Sequence, residues 1–144
     1  MEDYQGAALE RHQDTETLSN SDRKLAAMHF GGCTVECLLK SIIISSLPRR
    51  ASPEWKTDSN NPGHTIKNPG HSLHNALKQH NRLYSRVQKF PEVMNWLSIV
   101  ENPYNQHFIE MRYSSNNPDD AEYKTWWLAY NRLRSWLHKQ ATQL

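Results

Sequence analysis

Residues 25–44 read LAAMHFGGCTVECLLKSIII, and this stretch decides the fold. At about 100° per residue, Leu25, Met28, Gly32, Val35, Leu39 and Ile43 fall on one side of a helix. Lys24, Thr34, Cys37, Ser41 and Ser45 fall on the far side or its borders. Glu36 sits among the apolar positions, where an unpaired carboxylate would cost on the order of 3 kcal/mol or more. It therefore needs a partner or a water-filled groove. A solvated pair with Lys40, one turn on, would contribute only about 0.3 kcal/mol. The stripe position argues for more: an arginine, Arg112 or Arg134 by preference, bridging the second and last helices. Gly31 and Gly32 weaken the helix by roughly 1 kcal/mol each relative to alanine. They also remove bulk, which predicts a close helix crossing.

Working outward, residues 4–18 read as a short helix with Tyr4, Ala7, Ala8, Arg11 and Leu18 near one side. Ser19, Asn20, Ser21 and Asp22 then offer capping groups to the second helix. That helix runs to about Ser46 and stops at Pro48. Residues 48–71 form a polar connection holding four of the seven prolines. This connection begins a near-duplication, NPGHTIK at 61–67 followed by NPGHSLH at 68–74. Each Pro-Gly suits a type II turn, and so long a loop is usually functional. A third helix is predicted over 72–88, carrying Leu73, Leu77, His80, Leu83, Tyr84 and Val87. A fourth follows Phe90-Pro91, with Val93, Met94, Leu97 and Val100. After an irregular stretch over 102–118, the last helix starts near Asp119-Asp120 and runs to about Gln140. Five helices and no strand predict an all-α antiparallel bundle of four to five helices with one long polar loop, in a single domain over residues 1–144.

Composition agrees. Apolar residues make up 37% and mean hydropathy is −0.85, so the core is economical and leans on five tryptophans and six tyrosines. The net charge of +2 is uneven. Residues 1–24 carry net −3 and residues 91–121 net −4, whereas residues 47–90 carry +6 and residues 122–144 carry +3. Folding could bring the two basic segments together as a patch for a polyanion. The acidic start lacks the apolar core of a secretory signal, and no apolar run approaches the ~20 residues that cross a bilayer. Cys33 and Cys37, four apart on a helix, suit reduced thiols near the core and hence the cytoplasm.

Several residue groups could carry chemistry. His64, His71, His74 and His80 cluster in sequence, but no carboxylate or cysteine completes a recognisable metal-ligand spacing. No metal or cofactor is expected. No phosphate-cradling glycine loop or serine-hydrolase elbow is present. In the last helix Tyr123, Trp126, Tyr130, Leu133 and Leu137 form the apolar stripe, with Trp127, Asn131, Arg134 and His138 as an adjoining polar strip. Arg134 and His138 are one turn apart, near enough to act on one phosphate, whereas Arg132 points to roughly the opposite side. A cation beside an imidazole suits RNA cleavage.

Residues 26–40, AAMHFGGCTVECLLK, resemble the second-helix pattern of HEPN (higher eukaryotes and prokaryotes nucleotide-binding) domains. Gly70-His71-Ser72-Leu73 is similar to their loop-to-helix junction, and Met111-Arg112-Tyr113 to the Arg-Tyr before their final helix. The resemblance spans about residues 6–140. It implies a helical bundle and, for many members, a metal-independent ribonuclease of toxin–antitoxin type acting in a groove between two protomers. Such members carry an arginine, four to six residues, then histidine. Arg132 and His138 fit with five between, although Leu133 stands where a polar residue is usual; Arg134 leaves only three. On this reading Arg132, Arg134 and His138 are catalytic, Glu36, Arg112 and Asn131 support binding, and the chain is a homodimer meeting RNA. The alternative implied by the family is a non-catalytic module that partners a nucleotidyltransferase or binds nucleotide. A structural oligomer anchored by Trp127 and Trp136 is a third class.

Overall fold

The computed structural model describes residues 3–46 and 70–144. Asp3 opens α1 (Tyr4–Asn20) by accepting the Gly6 amide at 2.9 Å. A tight turn, with Asp22 at φ 57°, leads into α2 (Lys24–Ser45). Beyond residues 47–69, Ser72 caps α3 (Leu73–Lys78) by accepting the Asn75 amide at 3.1 Å. His80 then caps α4 (Asn81–Lys89), and Pro91 sits in the first turn of α5 (Pro91–Glu101). Two 3₁₀ turns, Pro103–Asn105 and Phe108–Tyr113, precede α6 (Asp120–Ala141), whose cap Asp119 accepts the Glu122 amide at 2.8 Å.

An all-α bundle is the observed fold, with one difference in its helices. The single third helix expected over 72–88 is broken in two. The His80 imidazole takes the Leu83 amide at 3.1 Å, which holds His80 itself extended at φ −124° and ψ 102°. A residue in that conformation starts a helix and cannot continue one. Residues 48–69 of the expected polar loop, His64 among them, lie outside the described residues. Gly70, at φ +63°, has the left-handed backbone that the second Pro-Gly turn requires.

Residue pairings fix the helix directions. Lys24 meets Asp120 at 2.6 Å where α2 and α6 both begin, so these two run parallel. Tyr123 donates to Ser19 at 2.5 Å and Tyr130 reaches His12, so α1 runs against α6. Phe90, just before α5, packs edge-on against Trp136 near the end of α6, so α5 also opposes it. All six α-helices of the described residues contribute to one core, whose largest fully buried side chains include Trp126, Tyr130 and Phe108.

Helix α2 is the centre of that core. Met28, Val35, Leu39 and Ile43 are buried as the stripe predicts, but Ala27, Thr34, Leu38 and Ile42 are buried too. The side expected to face outward is covered, because α1 packs along it. Among the described residues α2 is also the one helix long and apolar enough to cross a membrane, which corrects the reading that no segment qualifies. Most of that length is buried inside the bundle.

The two glycines of α2 admit aromatic rings. A Cβ on Gly31 would collide with the Trp126 indole, and one on Gly32 with the Phe108 ring. The predicted close approach to α6 is therefore real at Gly31, while Gly32 accepts a ring from the 3₁₀ segment. Among the described residues, Glu36 has no guanidinium partner across this seam, neither Arg112 nor Arg134. Glu36 pairs with Lys40 at 3.3 Å and with His71 at 2.8 Å, so its partners come from its own helix and from the start of the second half of the chain. Lys40 also donates to the Gly70 carbonyl at 3.3 Å and lies 5.7 Å from the Tyr4 ring centre. This buried charge is thus compensated locally.

A second buried acid escaped the sequence reading. Glu101, at the end of α5, accepts the Leu73 and His74 amides, the His74 imidazole and, at 3.5 Å, the Ser72 hydroxyl. Burial pushes its carboxyl upward, but the His74 side chain and the two amides outweigh that and hold it below its ordinary value.

Candidate functional site

The polar strip of α6 supplies the site. Trp126, Tyr130, Leu133 and Leu137 are buried as the core stripe, which turns Asn131, Arg134 and His138 toward the edge of the α1–α2 layer. Asn131 donates to the Trp127 carbonyl at 2.9 Å and accepts from Arg134 at 3.2 Å. The Arg134 guanidinium also lies 5.6 Å from the centre of the Tyr130 ring. Tethered on one side and backed by an aromatic face on the other, it keeps its remaining N–H groups for the cleft.

Arg134 and His138 line that cleft together with His12, Thr34 and Leu38, and its volume is about 130 Å³. That is room for a phosphate-sized group rather than a whole nucleotide. Across the cleft from α6, α1 presents His12 one turn before Glu16. Both ring nitrogens of His12 are engaged: Nε2 with the Glu16 carboxylate and Nδ1 with the Tyr130 hydroxyl at 2.8 Å. A carboxylate only accepts, so Nε2 carries the proton and Nδ1 accepts from tyrosine. Burial, with help from Arg134 and against Glu16, lowers the His12 pKa and keeps this imidazole neutral near pH 7. Burial also raises the Tyr130 pKa, so its hydroxyl stays a donor.

His138 differs. Among the described residues no hydrogen bond engages its ring, and burial followed by Arg134 lowers its pKa from the ordinary value. A neutral imidazole with a free nitrogen beside a guanidinium can take a proton while the cation holds an oxyanion. The cleft thus has one group to move a proton, one to hold charge, and a fixed Glu16–His12–Tyr130 relay behind them.

Not every expected residue arrives here. Arg132 is exposed on the opposite side of α6, in a groove with Glu92, Trp96, Trp136 and Lys139. The Arg–five residues–His spacing therefore joins two residues that face different ways within one chain, as the helical period requires. Arg112 lies over the Tyr113 ring, 4.8 Å from its centre, and lines a third groove with Arg23, His29 and Phe30. Glu36 belongs to the Lys40–His71 network. The sequence histidines separate as well: His71 goes to Glu36, His74 to Glu101, and His80 to a helix cap. Burial pushes the Cys33 thiol up to about 12, so it is no nucleophile at neutral pH. His12 is the site residue that sequence reasoning missed. Its signal was the i, i+4 spacing to Glu16, which by itself looks like any surface helix pair.

No family model, no curated protein and no solved structure matches this chain.

Proposed function

We propose that this chain is a HEPN-like, metal-independent endoribonuclease whose working groups are His138 and Arg134. One observation carries the reading: a hydrogen-bond-free imidazole and a tethered guanidinium share a phosphate-sized cleft. In the proposed step, His138 takes the proton of a ribose 2′-hydroxyl and the 2′-oxygen attacks the adjacent phosphorus. Arg134 holds the charge that gathers on the phosphoryl oxygens. The bond to the 5′-oxygen breaks, and His138 returns its proton to that leaving oxygen. His12 positions the site: its contact with Tyr130 fixes the ring against which Arg134 rests.

Arg132 is left out of the chemistry in this reading, despite its family-like spacing from His138. A cytoplasmic homodimer belongs to the proposal. Burial of most of α2 inside the bundle and the two free thiols support the location. The test is cleavage of a labelled single-stranded RNA in the presence of chelator. The His138→Ala variant should lose activity and the native chain keep it; equal cleavage by both ends the mechanism. If neither cleaves, the non-catalytic alternative, a module that docks a nucleotidyltransferase or nucleotide, takes its place.

A further inference from the structure

The outer face of α6 carries an arrangement that the cleavage reading does not use. Arg132, Ser135, Trp136 and Lys139 face Glu92 and Trp96 of α5 across an open groove of about 510 Å³. Trp96 and Trp136 are half-buried and Arg132 and Lys139 exposed, so partly exposed indoles share the groove with two cations. Phe90, 45% exposed, extends the aromatic row from Trp136, with ring centres 6.5 Å apart.

The groove itself is lined by two cations, Arg132 and Lys139, against one acid, Glu92, and the segments beside it are basic. Residues 70–91 and 123–144 contain no aspartate or glutamate, yet each holds four lysines or arginines. The fold brings these two segments together: Arg86 of α4 donates to Gln140 at 2.8 Å and to the Gln143 carbonyl at 3.1 Å. Lys89 directly precedes Phe90. Glu92 is the single acid lining the groove. Such a surface repels acidic side chains less than it attracts them, so charge alone does not select an occupant. The aromatic row does, because stacking on indole rewards a chain of flat bases and an acidic peptide gains nothing from it.

We infer that this groove is a docking surface for single-stranded polynucleotide, with bases stacking on Trp96 and Trp136 and phosphates held by Arg132 and Lys139. This goes beyond the cleavage reading and holds whether or not His138 is catalytic. Duplexes are poor occupants, since their bases already stack on one another.

The experiment titrates the full chain with a 2′-O-methyl oligouridylate of about ten nucleotides, which has no attacking hydroxyl. Anisotropy reports binding and tryptophan fluorescence reports stacking. Arg132→Glu and Lys139→Glu, both at exposed positions, should each weaken binding at least tenfold and flatten its salt dependence. Trp136→Phe keeps an aromatic ring for packing; it should lose part of the fluorescence quenching with the salt dependence unchanged. His138→Ala should bind like the native chain, which separates this surface from the cleft. Binding that is indifferent to Arg132→Glu overturns the proposal. So does equal binding of duplex, or of polyglutamate of matched charge, the latter pointing to an acidic protein instead.

Discussion

The two sides of α6 are built from alternate residues of one short segment, and they differ in kind. Arg134 and His138 look into a narrow cleft where a tyrosine ring and an asparagine hold the guanidinium in place. Arg132 and Lys139 look into a wide groove with indoles for walls and no such tether among the described hydrogen bonds. Positioning suits chemistry, because a misplaced group loses most of its effect on a transition state. Loose cations on an aromatic surface suit binding, because a polyanion needs charge and stacking more than a single geometry. Two arginines two residues apart thus stand in different surroundings, and the two proposals give them different work.

Activity offers the sharpest way to break this contrast. With saturating RNA, His138→Ala should lower single-turnover cleavage by about 10²–10⁴-fold, as loss of a general acid–base does. Arg132→Ala should leave that rate within a few-fold and raise the RNA concentration needed. The reverse order would restore Arg132 to the chemistry and merge the two sides.

Next in size is a test of what holds the α5 wall of the groove. Glu101→Ala leaves two amides and the His74 imidazole without their acceptor, and should cost about 3 kcal/mol or more in chemical denaturation. The native carboxyl is held below its ordinary value, so its contribution is complete above about pH 4.5 and fades as pH falls below that. Native protein should therefore lose stability on acidification through that range, and Glu101→Ala should lose less.

Gly32→Ala probes the packing of α2 against the 3₁₀ segment Phe108–Tyr113. The added methyl meets the buried Phe108 ring, and overpacking of this kind costs about 1–3 kcal/mol. A stability within about 0.5 kcal/mol of native would show that the ring yields easily.

The smallest expected effect is the pH response near neutrality. His12, His80 and His138 all have pKa values lowered chiefly by burial. The unfolded chain then binds protons first as pH drops below about 6.5, so Tm should be steady above that and decline below it. If His138 is the base as proposed, the rise in cleavage rate with pH should have its midpoint below 6.5, since burial and then Arg134 lower its pKa. A midpoint above 7 would contradict the lowered pKa of this imidazole.

Much of the architecture was legible because it depends on local period and punctuation. The stripe of α2, the Pro91 start of α5 and the Asp119 cap of α6 are properties of neighbouring residues. The break at His80 was not, since histidine is an uncommon cap and the apolar spacing runs straight through it. Glu36 teaches the same in a different form. Its place in the stripe announced a partner, but a charge pairs with whichever groups the fold brings near, and those were Lys40 and His71. Glu101 gave no warning, because its four contacts come from a segment 27–29 residues earlier in the chain.

The sequence by itself determined that this protein is a bundle of helices around a glycine-softened central one, and that Arg134 and His138 share a face. Helical period is enough for both. Tertiary structure alone decided that His12 stands across from them, that Arg132 joins two tryptophans instead, and that the basic stretches of α4 and α6 meet. Those facts depend on which helix surfaces pack together, and packing is chosen by shape and burial over the whole chain, not by spacing within any part of it.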